Sequence, residues 1–154
     1  MTDQQAILNL AQQRAAEKSL PYDGALTPQE AHALLQADPN AVLVDVRTRA
    51  ELDLVGRIPS ALHVEWAFYP GMVANPDFSS QLQAELSQRH CDRDVVLMFL
   101  CRTGGRSHNA AVVADALGFN RVYNILEGFE GEANTDKQRT LINGWKHAGL
   151  PWTN

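Results

Sequence analysis

Cys101 ends a short apolar run, Val95 to Leu100, and opens the segment Cys101-Arg102-Thr103-Gly104-Gly105-Arg106-Ser107. A strand that stops at a thiol, then a tight loop, then a helix expected from His108 to Leu117, is an arrangement that makes cysteine reactive. N–H groups at a helix start carry partial positive charge and favour an anion. Gly104 and Gly105 permit backbone angles that turn several N–H groups toward one atom. Arg102 and Arg106 add two permanent cations. A sulfur held there is favoured as thiolate, the nucleophilic form. Ser107 is expected to cap the helix with its hydroxyl, donation to the sulfur being the alternative.

The elements that must position this loop can be read on either side of it. Ile7, Leu8, Leu10, Ala11 and Ala15 give a helical stripe up to Lys18. Thr27-Pro28-Gln29-Glu30 combines an N-cap, a proline at the first helical position and an acidic first turn, opening a helix through Leu35. Ala41 to Val46 is a β-branched run suited to a buried parallel strand, and Ala61 to Val64 is a weaker strand. Phe78 to Gln88 places Phe78, Leu82 and Leu86 on one helical side. Arg121 to Ile125 is a further strand, preceded by Gly118 as a helix C-cap. A last helix is expected from about Asp136 to Ala148, ending at Gly149 and Pro151. Alternating strands and helices, with strands apolar on both faces, imply an α/β fold with a mainly parallel sheet. Ligands of such sheets bind beyond the carboxyl ends of the strands, where Cys101 lies. We divide the chain into an N-terminal helical extension, residues 1–25, and one domain, residues 26–154.

Composition narrows the function classes. The chain has 154 residues, 45% hydrophobic and 20% charged, which suits one globular domain with a real core. A net charge of −5 gives no electrostatic support for nucleic-acid binding, so the two loop arginines are local features of an acidic protein. No apolar run approaches the roughly 20 residues a membrane span requires. The first residues lack a cationic start and a uniform apolar segment, and the chain has two cysteines, so free thiols and a cytoplasmic location are expected.

From about Leu26 to Trp152 the chain resembles the rhodanese, or sulfurtransferase, domain family. A strand ending in Asp-x-Arg is matched by Asp45-Val46-Arg47. The acidic residue and Gly-x-Ile-Pro-x-Ala segment that follow resemble Glu51 and Gly56 to Ala61. The cysteine loop is similar to Cys101 to Arg106, and the closing turn, tryptophan and Gly-x-Pro tail to Leu126 to Phe129, Trp145 and Gly149 to Pro151. The chain departs from the pattern at Arg57, where histidine is frequent, at Ser60, where glycine is usual, and at Glu127, in the first place of a common Gly-Gly pair.

The resemblance implies a five-stranded, mainly parallel sheet flanked by helices. It also implies sulfur transfer through a persulfide on Cys101. The donor would be an anion such as thiosulfate and the acceptor a thiol or cyanide, without any cofactor. Arg102, Thr103, Gly104, Gly105, Arg106 and Ser107 would then bind the substrate or shape the loop. Asp45, Arg47 and Glu51 are supporting residues, Asp45 and Glu51 pairing with Arg106 or Arg47 to fix the loop's orientation. Two other functions compete: a persulfide carrier or regulatory module acting on protein partners, and a phosphatase of the same fold. Phosphatase loops resemble Cys-x5-Arg, whereas four residues separate Cys101 from Arg106, a cradle sized for sulfur.

Three features remain. Cys91, in His90-Cys91-Asp92-Arg93, has no arginine six residues on and reads as an unreactive thiol. His32, His63, His90, His108 and His147 show no metal-ligand spacing and no nucleotide loop is present, so neither a metal nor a nucleotide is expected. The aromatic stretch Glu65 to Asp77 forms either a wall over the site or a surface loop that tucks Trp66 and Phe68 into the core.

Overall fold

The computed structural model describes residues 3–154. Five parallel strands form one sheet: β1 (Gly24–Leu26), β2 (Val42–Asp45), β3 (Leu62–His63), β6 (Val96–Leu100) and β7 (Arg121–Ile125). Their order across the sheet is β1-β7-β6-β2-β3. A two-stranded antiparallel hairpin, β4 (Ala67–Phe68) and β5 (Val73–Ala74), stands apart from it. The helices are α1 (Asp3–Glu17), α2 (Pro28–Ala37), α3 (Arg49–Val55), α4 (Phe78–Gln88) and α5 (Gly105–Ala116).

Alternate residues of the central strands feed two cores, as the two-residue period of a strand requires. Val44, Leu97, Phe99 and Val122 pack with Phe78, Leu82 and Leu86 of α4 and with Ala110, Ala111 and Ala114 of α5. Leu43, Met98, Leu100 and Ile125 pack on the other face with Leu34, Phe129 and Trp145. Every residue of β6 is buried. The alanines of α5 let its backbone lie close to the sheet, which aims the helix start at the end of β6.

Local signals account for several boundaries. Thr27 and Glu30 form a reciprocal capping box at α2, with Pro28 as the first helical residue. Thr48 and Glu51 form a second box at α3, a helix that our reading of the sequence did not include. At the end of α5, Gly118 (φ +93°) adopts the left-handed conformation, and its N–H and that of Phe119 donate to the carbonyls of Asp115 and Ala114. The stripe on α1 buries Leu8, Ala11 and Ala15. The helix lies so close to β1 that a Cβ on Gly24 would meet the Ala11 backbone at 2.9 Å and the Tyr123 ring at 2.7 Å.

Two expected elements differ. Helix α5 begins at Gly105 and not at His108, which puts Arg106 and Ser107 inside its first turn. The helix expected from Asp136 to Ala148 does not form; the segment is a run of turns. Lys137, Thr140 and Gly144 all have positive φ, which interrupts a helix at each successive turn. Gly144 sits 2.7 Å, by its missing Cβ, from the Gly131 nitrogen. Trp145 is nevertheless buried, and its indole N–H donates to the Pro151 carbonyl at 2.9 Å. Close backbone packing here replaces regular structure.

Candidate active site

The carboxyl ends of β2 and β6 are adjacent, with Asp45 in register with Leu100, so Asp45 and Cys101 arrive at one edge of the sheet. Cys101 is 1% exposed. The Gly104 N–H donates to its Sγ at 3.0 Å, and the Ser107 Oγ lies 3.3 Å from the same sulfur. Gly104 is the N-cap of α5, with φ +116°, a conformation that suits glycine. The N–H groups of Gly105, Arg106 and Ser107 follow in the first turn and have no acceptor among the described residues. They are the unpaired donors of a helix start, set beside a sulfur.

Ser107 does not cap the helix. It stands at the third helical position, where its hydroxyl lies within hydrogen-bond distance of the Gly104 carbonyl (3.1 Å) and of Asn124 Oδ1 (2.6 Å). The Asn124 amide donates back to the Gly104 carbonyl at 3.3 Å. Asn124, a buried polar residue on β7, therefore braces the loop from behind, and sequence reasoning missed it. Its signal was a polar residue inside the apolar run Arg121–Ile125. Farther back, the Tyr22 hydroxyl and His108 Nδ1 are 2.7 Å apart. Burial pushes the Tyr22 phenol up from its ordinary value.

The arginines divide their tasks. Arg106 grips Glu51 with two hydrogen bonds, Nη1 to Oε1 at 2.7 Å and Nη2 to Oε2 at 2.9 Å. Burial opposes ionisation of Glu51, but the bonds from Arg106 and from the Thr48 backbone outweigh it and hold the carboxyl at about 2. Asp45 pairs instead with Arg47, which donates from Nη2 to Oδ2 at 2.7 Å and from Nε to Oδ1 at 3.0 Å. Arg47 is fully buried and its guanidinium lies 4.0 Å over the Phe129 ring. Arg102 is exposed and makes no ion pair among the described residues. Thr103 and Gly105 are exposed on the same loop.

Gly128 (φ +68°) fixes the other side of the loop. A Cβ there would meet the carbonyl carbon and oxygen of Arg102 at 2.5 Å. The N–H groups that follow it, from Phe129 and Glu130, donate to the carbonyls of Cys101 and Arg102 at 2.9 and 3.0 Å. Glu127 tolerates a positive φ beside it and accepts from the Gly144 N–H at 3.0 Å.

A cleft of about 490 Å³ opens in front of the loop. Arg102 and Arg106 line it from the loop and the first turn of α5, Glu51 and Leu54 from α3, and Tyr69 and Met72 from the tip of the hairpin. The aromatic stretch thus supplies a wall. Trp66 is half-buried against Phe78, while Phe68 is exposed.

A family model described as the rhodanese-like domain matches residues 27–134. The chain is 37% identical over 123 residues to an uncharacterised protein of Rickettsia conorii, covering 80% of this chain and 91% of that one. It is 31% identical over 112 residues to a protein of Allochromatium vinosum named sulfurtransferase, covering 73% and 78%. Among solved structures, the protein Rv0390 of M. tuberculosis superposes with a TM-score of 0.74 at 38% identity, covering 86% of this chain and 98% of that one.

Proposed function

Because the chain belongs to the rhodanese-like domain family, we propose that it is a sulfurtransferase that carries sulfane sulfur from a thiosulfate-like anion to a thiol or cyanide on Cys101. The observation that carries this reading is the Cys101 sulfur accepting from the Gly104 N–H at the start of α5, whose first-turn N–H groups are unpaired among the described residues. The relative named sulfurtransferase supports it.

In the first half-reaction the Cys101 thiolate attacks the outer sulfur of thiosulfate. A new sulfur–sulfur bond forms, the old one breaks, and its electron pair leaves with sulfite. In the second, the acceptor attacks the outer sulfur of the persulfide and the electron pair returns to Sγ. Charge resides on sulfur throughout, so a fixed set of N–H donors does the stabilising and no general base is required. Two successive displacements give ping-pong kinetics. Arg102 meets the sulfonate oxygens, while Arg106, occupied by Glu51, holds the loop in shape.

The test is intact-protein mass spectrometry after incubation with thiosulfate. The expected result is a gain of one sulfur atom that a reductant removes and that Cys101→Ser abolishes. No gain in the wild-type protein, or a gain that survives in Cys101→Ser, would overturn the reading.

A further inference from the structure

The cleft bordered by Arg102 and Arg106 of the cysteine loop holds more than an inorganic anion needs. Its volume of about 490 Å³ is in the range that encloses an organic ligand. Leu54 (78% exposed), Tyr69 (65%) and Met72 (46%) converge on it from two separate elements, α3 and the hairpin. Of the nine large hydrophobic side chains exposed among the described residues, five lie on these two elements and the turn between β4 and β5. Exposed apolar groups gathered around a polar site mark a binding surface, and methionine adapts its shape to what it meets.

The charges are equally selective. The Glu51 and Arg106 charges cancel. That leaves the unpaired Arg102 guanidinium as the attraction for an anionic group, and the Glu130 carboxylate, on the same cleft, as a repulsion for a second one. The Cys101 sulfur is recessed, so the reacting group must reach it on a slim stem.

Resting on the sulfur-transfer reading above, we propose that the acceptor is a small organic thiol with an apolar body and a single carboxylate. The body lies against Leu54, Tyr69 and Met72, and the carboxylate meets Arg102. Ping-pong chemistry brings two ligands to one site in turn. The inorganic donor uses the amide donors and Arg102, and the apolar wall serves the second ligand. The acceptor thiolate bonds to the outer persulfide sulfur, the bond to Sγ breaks, and its electron pair returns to Cys101. The product is the acceptor's own persulfide, and no oxidant or reductant is consumed.

Unreactive thioethers test this by calorimetric titration of the resting protein, whether or not a persulfide forms. The probes are para-(methylthio)phenylacetate, its neutral amide, and methylthioacetate. The aryl acid is expected to bind about tenfold more tightly than either of the others. Leu54→Ser and Tyr69→Ser should each weaken the aryl acid about tenfold and leave methylthioacetate unmoved. Arg102→Gln should erase the difference between acid and amide. Leu141→Ser, at an exposed apolar residue (59%) outside the cleft's lining, is the control and should change nothing.

Equal binding of all three probes, or no binding, overturns the proposal even if thiosulfate loads Cys101. So does binding that ignores the Leu54 and Tyr69 changes. Sulfur that passes from loaded Cys101 to a reduced protein thiol, with no thioether bound, would assign the wall to protein docking instead. Failure to load Cys101 with thiosulfate, with aryl acid binding intact, would count against the donor reading alone.

Discussion

Glu51 ties the cysteine loop to α3 through Arg106, and its carboxyl is held at about 2, well below its ordinary value of 4.5. A depressed carboxylate stabilises the fold in full above its unfolded value and loses that contribution as pH falls through the folded one. The window is therefore roughly pH 5 down to 2, and the contribution is on the order of 3 kcal/mol. Glu51→Gln should lower stability at about pH 6 and converge with the wild type near pH 2, as read by urea denaturation across that range. Parallel curves would mean that the pair holds the loop without stabilising the fold. Gly128 makes a sharper test of loop shape. Its missing Cβ lies 2.5 Å from the Arg102 backbone, and its φ is positive. Gly128→Ala should cost about 1–3 kcal/mol and reduce persulfide formation by more than the loss of folded protein explains. A variant that is less stable but loads sulfur normally would show that the loop relaxes without harm.

The elements were legible where one local rule decides them. Val96–Leu100 is buried on both faces, so its apolar continuity was unambiguous, and the helix Phe78–Gln88 follows from its i, i+4 stripe. Helix α3 escaped notice although Thr48-x-x-Glu51 spells the same capping box as Thr27-x-x-Glu30. Its seven residues bury only Leu52, too few for a periodic signal. The helix expected from Asp136 does not form because Lys137, Thr140 and Gly144 take positive φ, Lys137 in a local turn on Asn134 and Thr140 and Gly144 where the chain packs back on Glu130 and Gly131. At the site, the identity and place of Cys101 and its loop were readable, since chain order sets them. Which arginine each carboxylate takes was left open: Asp45 meets Arg47 two residues on, whereas the reach of Arg106 to Glu51 and the brace from Asn124 depend on how β2, β6 and β7 lie side by side. Helix α1 extends the same lesson to residues 3–17. It buries Leu8, Ala11 and Ala15, and Arg14 reaches the Ala25 carbonyl and Glu30. We therefore expect α1 to belong to the folding unit. A chain starting at Leu20 should lose on the order of 3–5 kcal/mol in thermal or urea denaturation; unchanged stability would make α1 an appendage.

Across the whole molecule the two thiols stand at opposite poles of one sheet. Cys101 follows the carboxyl end of β6, whereas Cys91 lies with Val42, Val96 and Arg121 on a cleft of about 760 Å³ at the strands' amino ends. The five residues of β6 alone separate the poles by about 17 Å. The larger cleft is thus remote from the cysteine loop, and size does not single out the proposed site. Cys91 has neither a glycine loop nor a helix start beside it, and burial pushes its thiol up from the ordinary value. At neutral pH it stays protonated and is a poor nucleophile. Peptide mapping after thiosulfate treatment should therefore find the added sulfur on the Cys101 peptide and none on the Cys91 peptide. Cys91→Ser should keep thiosulfate turnover within about twofold of the wild type, whereas Cys101→Ser should have none while its circular dichroism is unchanged. Sulfur found on Cys91, or turnover lost in a folded Cys91→Ser, would mean that both poles take part and that sulfur crosses between them.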